Sequence, residues 1–96
     1  MTTRERIHLA AVASLGCAIC GNPAEIHHLR HNPETGQHLG MSQRASNWHV
    51  IPLCPAHHRT GGLGVAYHAG PRAWEEAHGT EIEIWRQVEA RIREAA

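Results

Sequence analysis

The chain has no aspartate and no lysine, so all nine of its acidic residues are glutamates and all nine of its basic residues are arginines. Without lysine there is no Schiff-base chemistry, and a carboxylate cage for magnesium would have to be built from glutamate alone. Few glutamates fall in the stretch that carries the cysteines and most histidines, which leaves histidine as the main reactive group. No charged-then-apolar leader and no long apolar run is visible, so export and membrane insertion are not expected and a reducing cytoplasm is the predicted compartment. Three cysteines is an odd count, unsuited to a purely disulfide framework. At 96 residues the chain is expected to form one small domain over 1–96, too short to rely on a large apolar core, and a metal staple is therefore predicted. The formal net charge is zero but unevenly divided: residues 1–72 hold six Arg and three Glu (+3), residues 73–96 three Arg and six Glu (−3). A polyanion would meet the first part, and the second reads as a solvated helical face or a protein-contact surface.

What the chain does have is cysteine and histidine in a nested order. His27 and His28 sit between a Cys17-Ala-Ile-Cys20 pair and a Cys54-Pro-Ala-His57-His58 cluster. Cys17, Cys20 and Cys54 with one histidine of the last cluster make the Cys₃His set of a closed structural zinc site, and spacing favours His57 over His58 as its fourth member. The competing reading of the cysteines as small buried hydrophobes does not account for the tight pair spacing. The remaining histidines then suggest a second metal site. Neutral imidazole binds borderline divalent ions and can act as a base near pH 7, a combination suited to metal-assisted hydrolysis.

Thr2 and Glu5 have capping-box spacing, which predicts a helix over residues 3–15 with Ile7, Ala10, Ala11, Val12 and Leu15 on its apolar face. Cys17 to Asn22 reads as a tight turn, Ala24 to Leu29 as a short strand, and Arg30 to Ser46 as a long surface loop. Trp48 to Leu53 reads as a second strand, and Cys54 to Thr60 as a helical turn stopped by Gly61 and Gly62. The glycine-rich stretch Gly61 to Gly64 lacks the lysine and spacing of a phosphate loop. Pro71 is placed to open a helix ended by Gly79, and Thr80 with Glu83 to start another running to about Glu94, with Ile82, Trp85, Val88 and Ile92 as its apolar face. Trp74, Trp85 and Trp48 are expected in the core, the last beneath the long loop. His8, His31, His38 and His78 are expected at the surface, with His31 and His38 within reach of a substrate.

The order strand with His27-His28, long loop, strand, short helix with further histidines resembles the HNH endonuclease superfamily. The segment Trp48-His49-Val50-Ile51-Pro52-Leu53-Cys54 and the Gly-Gly-x-Gly stretch leading to His68 are most similar, within it, to the phage recombination-enhancement nuclease Ref and its small phage relatives. The resemblance covers about residues 17–78. It implies an α+β fold: a small zinc-stapled ββα-metal core with flanking N- and C-terminal helices. It also implies that Cys54 and His57 complete the zinc site with Cys17 and Cys20, that His27 and His58 bind a catalytic metal, and that His28 is the general base. Two positions depart from the family pattern. His49 stands where an asparagine that ties the strands is usual, with Asn47 close by, so that either could make the tie. Gly62 stands where a third histidine ligand would fall, and His68 is the expected replacement.

The resemblance further implies DNA as substrate, single- or double-stranded, a host-cell cytoplasm reached through a phage, and action beside a recombinase filament by a monomer or dimer. The catalytic ion would be a hydrated divalent metal such as Mg²⁺, Mn²⁺ or Zn²⁺, acting as a Lewis acid on the scissile phosphate and leaving oxygen. Side chains alternate along a strand, so a loop or bulge would have to turn His27 and His28 to one side. Arg30 and Arg59 are candidates to hold flanking phosphates, with Arg44 and Arg72 extending the track. The alternative from another class is a non-catalytic zinc module that binds nucleic acid or a protein with the surplus histidines idle. A third reading is a toxin-like nuclease acting on RNA.

Overall fold

The first helix begins where its capping residues dictate. In the computed structural model, which describes residues 1–41 and 43–95, helix α1 spans Thr3–Ser14. The Thr2 hydroxyl accepts the Glu5 N–H at 3.1 Å while the Glu5 carboxylate accepts the Thr2 N–H at 3.0 Å, the reciprocal box expected from the sequence. Its buried residues are His8 and Val12, with Leu9 and Leu15 packed at the margin. Ile7 is exposed and His8 buried, the reverse of the expectation for both. The face that meets the core is centred one residue further along, on 8, 12 and 15, and the imidazole carries the apolar work there.

Gly16 at φ +79° lets the chain leave the helix and turn back. A Cβ at that position would lie 2.7 Å from the Gly21 carbonyl oxygen, so only glycine fits the close approach. The knuckle that follows is closed by Cys17 N–H to the Asn22 carbonyl at 2.7 Å and Gly21 N–H to the Cys17 carbonyl at 2.9 Å.

Strands β1 (Glu25–His28) and β2 (Val50–Leu53) pair antiparallel, with Glu25 opposite Leu53, His27 opposite Ile51 and His28 opposite Val50. Both are shorter than the sequence suggests, because the flanking residues turn away to serve the knuckle and the loop. The pairing is continuous, with no bulge between His27 and His28. The loop between the strands is folded on itself. Arg30 donates from its guanidinium to the carbonyls of Gln43 (3.0 Å), Leu39 (3.3 Å) and Gly40 (2.8 Å), and an isolated bridge joins His31 to His38.

After β2 comes a wide, π-type turn over Ala56–Thr60, capped by Gly61, then a 3-10 turn over Tyr67–Ala69. Helix α2 (Pro71–His78) opens on Pro71 and stops at Gly79, whose φ is +95°. Helix α3 (Glu81–Ala95) starts after Thr80, whose hydroxyl accepts the Glu83 N–H at 3.1 Å. Its buried face is Glu81, Ile84 and Val88, with Trp85 and Ile92 packed beside it; of the expected set Val88, Trp85 and Ile92 hold, while Glu81 and Ile84 take the place expected of Ile82. A glutamate can lead a buried stripe only if its carboxylate is bonded, and Glu81 is.

Helices α1 and α3 pack on the sheet, and α2 packs on the 3-10 turn. Trp74, Tyr67, Leu29, Ile51 and Leu53 fill the centre of this α+β arrangement. Trp48 is no core residue: it is 43% exposed and lies against the His8 ring at 4.8 Å between centroids. Among the described residues no helix is long and apolar enough to cross a membrane.

Candidate metal centre

The knuckle and the turn after β2 bring Cys17, Cys20, Cys54 and His57 together. A tetrahedron built on Zn–S of about 2.3 Å and Zn–N of about 2.0–2.1 Å has edges of about 3.8 Å between sulfurs and about 3.6 Å between sulfur and nitrogen. Observed edges are 3.7 Å for Cys20 Sγ to Cys54 Sγ, and 3.8 and 3.2 Å from His57 Nδ1 to Cys17 Sγ and Cys54 Sγ. The sulfurs are far too distant for a disulfide, whose bond is about 2.05 Å, and all three cysteines are free. Burial alone would raise the Cys17 thiol, yet backbone N–H groups directed at it, including that of Ile19 at 3.4 Å, outweigh burial and lower it. A lowered thiol favours the thiolate that a metal needs. The set fits a structural zinc ion, with His57 as its imidazole.

A second cluster lies nearby, on the face of β1 turned toward the two short turns. His27, His58 and His68 present one ring nitrogen each, all within 4.8 Å of one another. His58 Nε2 and His68 Nε2 are 3.1 Å apart, close to the edge of about 3.3 Å that two nitrogens make on one tetrahedral zinc. The His27 ring is 1% exposed, its Nε2 is 2.8 Å from Glu81 Oε2, and its Nδ1 is buried with no hydrogen-bond partner. Such an orphaned nitrogen is costly in a packed interior and is what a metal ligand looks like without its ion. Burial holds His27 below the ordinary imidazole range, and His68 is held down by lost hydration and then by His27 and His58. The neutral ring is the metal-binding form.

Two carboxylates absent from the sequence-based site complete the cluster. Glu81 is fully buried and accepts from His27, from His31 Nδ1 at 2.9 Å and from the Arg30 backbone N–H at 2.6 Å. Burial would raise its carboxyl, but the hydrogen bonds from His27 and His31 prevail and hold it below the usual range. Glu25 lies 2.6 Å from His58 Nδ1 and accepts from Arg59 at 2.8 and 3.1 Å; Arg59 first and His58 second depress it to about 2.

The expected general base stands apart from the cluster. With no bulge in β1, His28 faces the other side of the strand, where its Nε2 is 2.9 Å from Asn47 Oδ1. Asn47 in turn donates from Nδ2 to Glu5 at 2.8 Å. The Glu5 carboxylate, depressed to about 2 by the Thr2 backbone N–H and then by Asn47, fixes which way the amide points. The oxygen of Asn47 therefore meets His28, whose Nε2 carries the hydrogen and whose Nδ1 is left as an acceptor.

Asn47 makes the side-chain tie to β1, while His49 stands edge-on to Trp85 with centroids 5.4 Å apart, away from the three-histidine cluster. The Leu29 N–H does bond the His49 carbonyl at 3.0 Å, so His49 contributes to the strand connection through its backbone. Arg30 is spent on the loop carbonyls and Arg59 on Glu25. His78 lies 5.6 Å from the His57 ring, edge-on, with a buried Nε2 that has no partner.

One family model matches, over residues 2–92, and it is described as a protein of unknown function, DUF968. Neither the curated proteins nor the solved structures give a match.

Proposed function

Because the chain belongs to the DUF968 family of proteins of unknown function, its activity has to be argued from its own site, and we propose that it is a metal-dependent endonuclease of the HNH kind that hydrolyses DNA phosphodiester bonds. The observation that carries the reading is the buried, unpartnered His27 Nδ1 beside His58 and His68, in a chain that already has a separate Cys₃His set. Three imidazoles, each with one ring nitrogen in the cluster, would hold a borderline divalent ion and leave a coordination position open, as hydrolytic sites do. An ion held by His27, His58 and His68 would supply Lewis acidity to the phosphoryl and departing oxygens.

In an in-line displacement the attacking water and the departing oxygen lie on opposite sides of phosphorus. His28 takes the water's proton on Nδ1 in this reading, with Asn47 and Glu5 holding its ring in the tautomer that can do so. A phosphate at the end of β1, where the chain leaves the sheet, would have the base on one side of the strand and the three histidines on the other. Phosphate contacts from Arg44 and Arg72 would add affinity that falls with salt. The phage setting and recombinase partner implied by the sequence resemblance belong to the same proposal.

A second reading, a zinc-stapled module that binds nucleic acid or a protein without cutting, is favoured by the commitment of Arg30, Arg59 and His28 to internal partners. One experiment separates the two. Protein carrying one zinc equivalent is incubated with single-stranded and plasmid DNA plus Mn²⁺ or Mg²⁺, alongside His28→Ala and His58→Ala. Metal-dependent cutting that drops by roughly 10²- to 10⁴-fold in folded His28→Ala supports the nuclease and its base. Retained DNA binding with no cutting by the wild type gives the binding module, and equal cutting by His28→Ala removes His28 from the mechanism.

A further inference from the structure

Glu25 and Glu81 are not ligands by position, yet each touches the far nitrogen of a clustered histidine. Glu81 comes from the first turn of α3, 54 residues from His27 in sequence and outside the strands and turns that carry the three histidines. It is 0% exposed, and a glutamate that deep is rare unless its oxygens are matched. Here Oε2 meets His27 Nε2, and Oε1 accepts from both His31 Nδ1 and the Arg30 backbone N–H. A ring nitrogen facing a carboxylate oxygen carries the hydrogen, so the His27 lone pair is on Nδ1, the atom left without a partner. The same logic holds at His58. Glu25, steadied by Arg59, takes Nδ1 and leaves Nε2 directed at His68 Nε2.

We propose that Glu81 and Glu25 are the positioning carboxylates of the three-histidine metal site, Glu81 presenting His27 Nδ1 and Glu25 presenting His58 Nε2, so that docking of α3 and filling of the site are one linked event. This rests on the reading that the three histidines hold a divalent ion. Carboxylates behind ligating histidines fix ring orientation and tautomer, and their loss weakens metal binding by about 10- to 100-fold. A purely structural role for Glu81, as a clamp joining α3 to the start of the long loop, would leave the affinity for the ion unchanged.

The test uses the full chain holding one zinc equivalent in its Cys₃His set, titrated with Co²⁺ and with Zn²⁺ by calorimetry. Wild type, Glu81→Gln and Glu25→Gln are compared, with long-range proton–nitrogen NMR of the imidazoles and hydrogen exchange of the first turn of α3. The expected result is a second equivalent in the wild type and about 10- to 100-fold weaker binding of it in each variant, with the first zinc unaffected. His27 and His58 should show hydrogens on Nε2 and Nδ1 respectively, and the second ion should slow exchange at the start of α3 in wild type but not in Glu81→Gln. Equal second-ion affinity in folded variants overturns the positioning role while the metal reading stands. Glu25 is partly exposed, so Glu25→Gln keeps the proposal testable if Glu81→Gln fails to fold. A wild type that takes no second ion brings down the metal reading and this inference together.

Discussion

At the scale of single residues, the capping pair and both metal-ligand sets were legible in the sequence, and the carboxylates behind the histidines were not. Thr2 and Glu5 are three apart, and their reciprocal bonds follow from helix geometry alone. The cysteines and His57 could be grouped because Cys17 with Cys20 and Cys54 with His57 are each a locally spaced ligand pair that one ion can join, although 34 residues separate Cys20 from Cys54. Glu81 was invisible as a site residue: at the start of an amphipathic helix a glutamate ordinarily reads as a solvated, dipole-friendly cap. Only the docking of α3 brings its carboxylate to His27. The exchange of environments between His8 and Trp48 has the same origin, because one step of helix rotation decides which of Ile7 and His8 faces inward.

Glu5 yields a prediction at this scale. Its folded pKa of about 2 lies below the ordinary 4.5, so its contribution to stability is fully present above about pH 4.5 and is lost as pH falls toward 2. Glu5→Gln should therefore lower the melting temperature at pH 6, and the gap to wild type should shrink as pH is taken below 4.5. Melts followed by circular dichroism over the pH range where both proteins stay folded would check this; a gap independent of pH would mean that the carboxylate charge contributes nothing beyond the amide.

Among elements, the helices were readable from caps and stops, and the strands only in outline. Pro71, Gly79 and Thr80 mark their boundaries through the backbone, whereas a four-residue strand has no periodicity to count. A loop or bulge is needed only if His27 and His28 are to face one side of the strand. The continuous ladder shows that pairing with Ile51 and Val50 governs instead, and the two rings serve opposite faces of β1.

The wide turn after β2 carries both His57 and His58, and so ties the two clusters to one piece of backbone. Gly61 closes it: a Cβ there would lie 2.5 Å from both the Ala56 carbonyl oxygen and Val65 Cγ1. The former is backbone that also accepts the Gly61 N–H at 3.0 Å, so it has little freedom to retreat. Gly61→Ala should cost about 1–3 kcal/mol, as overpacking usually does, and should weaken metal binding at both clusters together. Urea unfolding with zinc bound, followed by a metal competition titration, measures both. Lost stability with unchanged metal affinities would show that the turn relaxes without moving its histidines.

For the molecule as a whole, the question is whether the apolar core or the metal makes the fold. A 96-residue chain is near the size at which burial and chain entropy almost cancel, and net stabilities of such domains are about 5–15 kcal/mol. Structural zinc sites contribute apparent binding energies of about 10–16 kcal/mol, the same order as that whole margin. The Cys₃His set joins the knuckle before β1 to the turn after β2, both at the Glu25–Leu53 end of the sheet, so removing the ion releases the two strands from each other at that end. Without the ion, Cys17 and Cys54 also become buried thiols with no partner to hold them together. Chelation should therefore unfold the protein cooperatively, with loss of the α-helical signal and of the melting transition, and one equivalent of zinc should restore both. Cys54→Ser should behave like the chelated protein even in excess zinc. The His58→Ala variant should keep its fold under the same conditions, because its ring belongs to the other cluster and the Cys₃His set remains intact. A metal-stripped chain that retains a cooperative melt well above room temperature would show that Trp74, Tyr67 and the sheet suffice, and that the cysteines refine a fold they do not create.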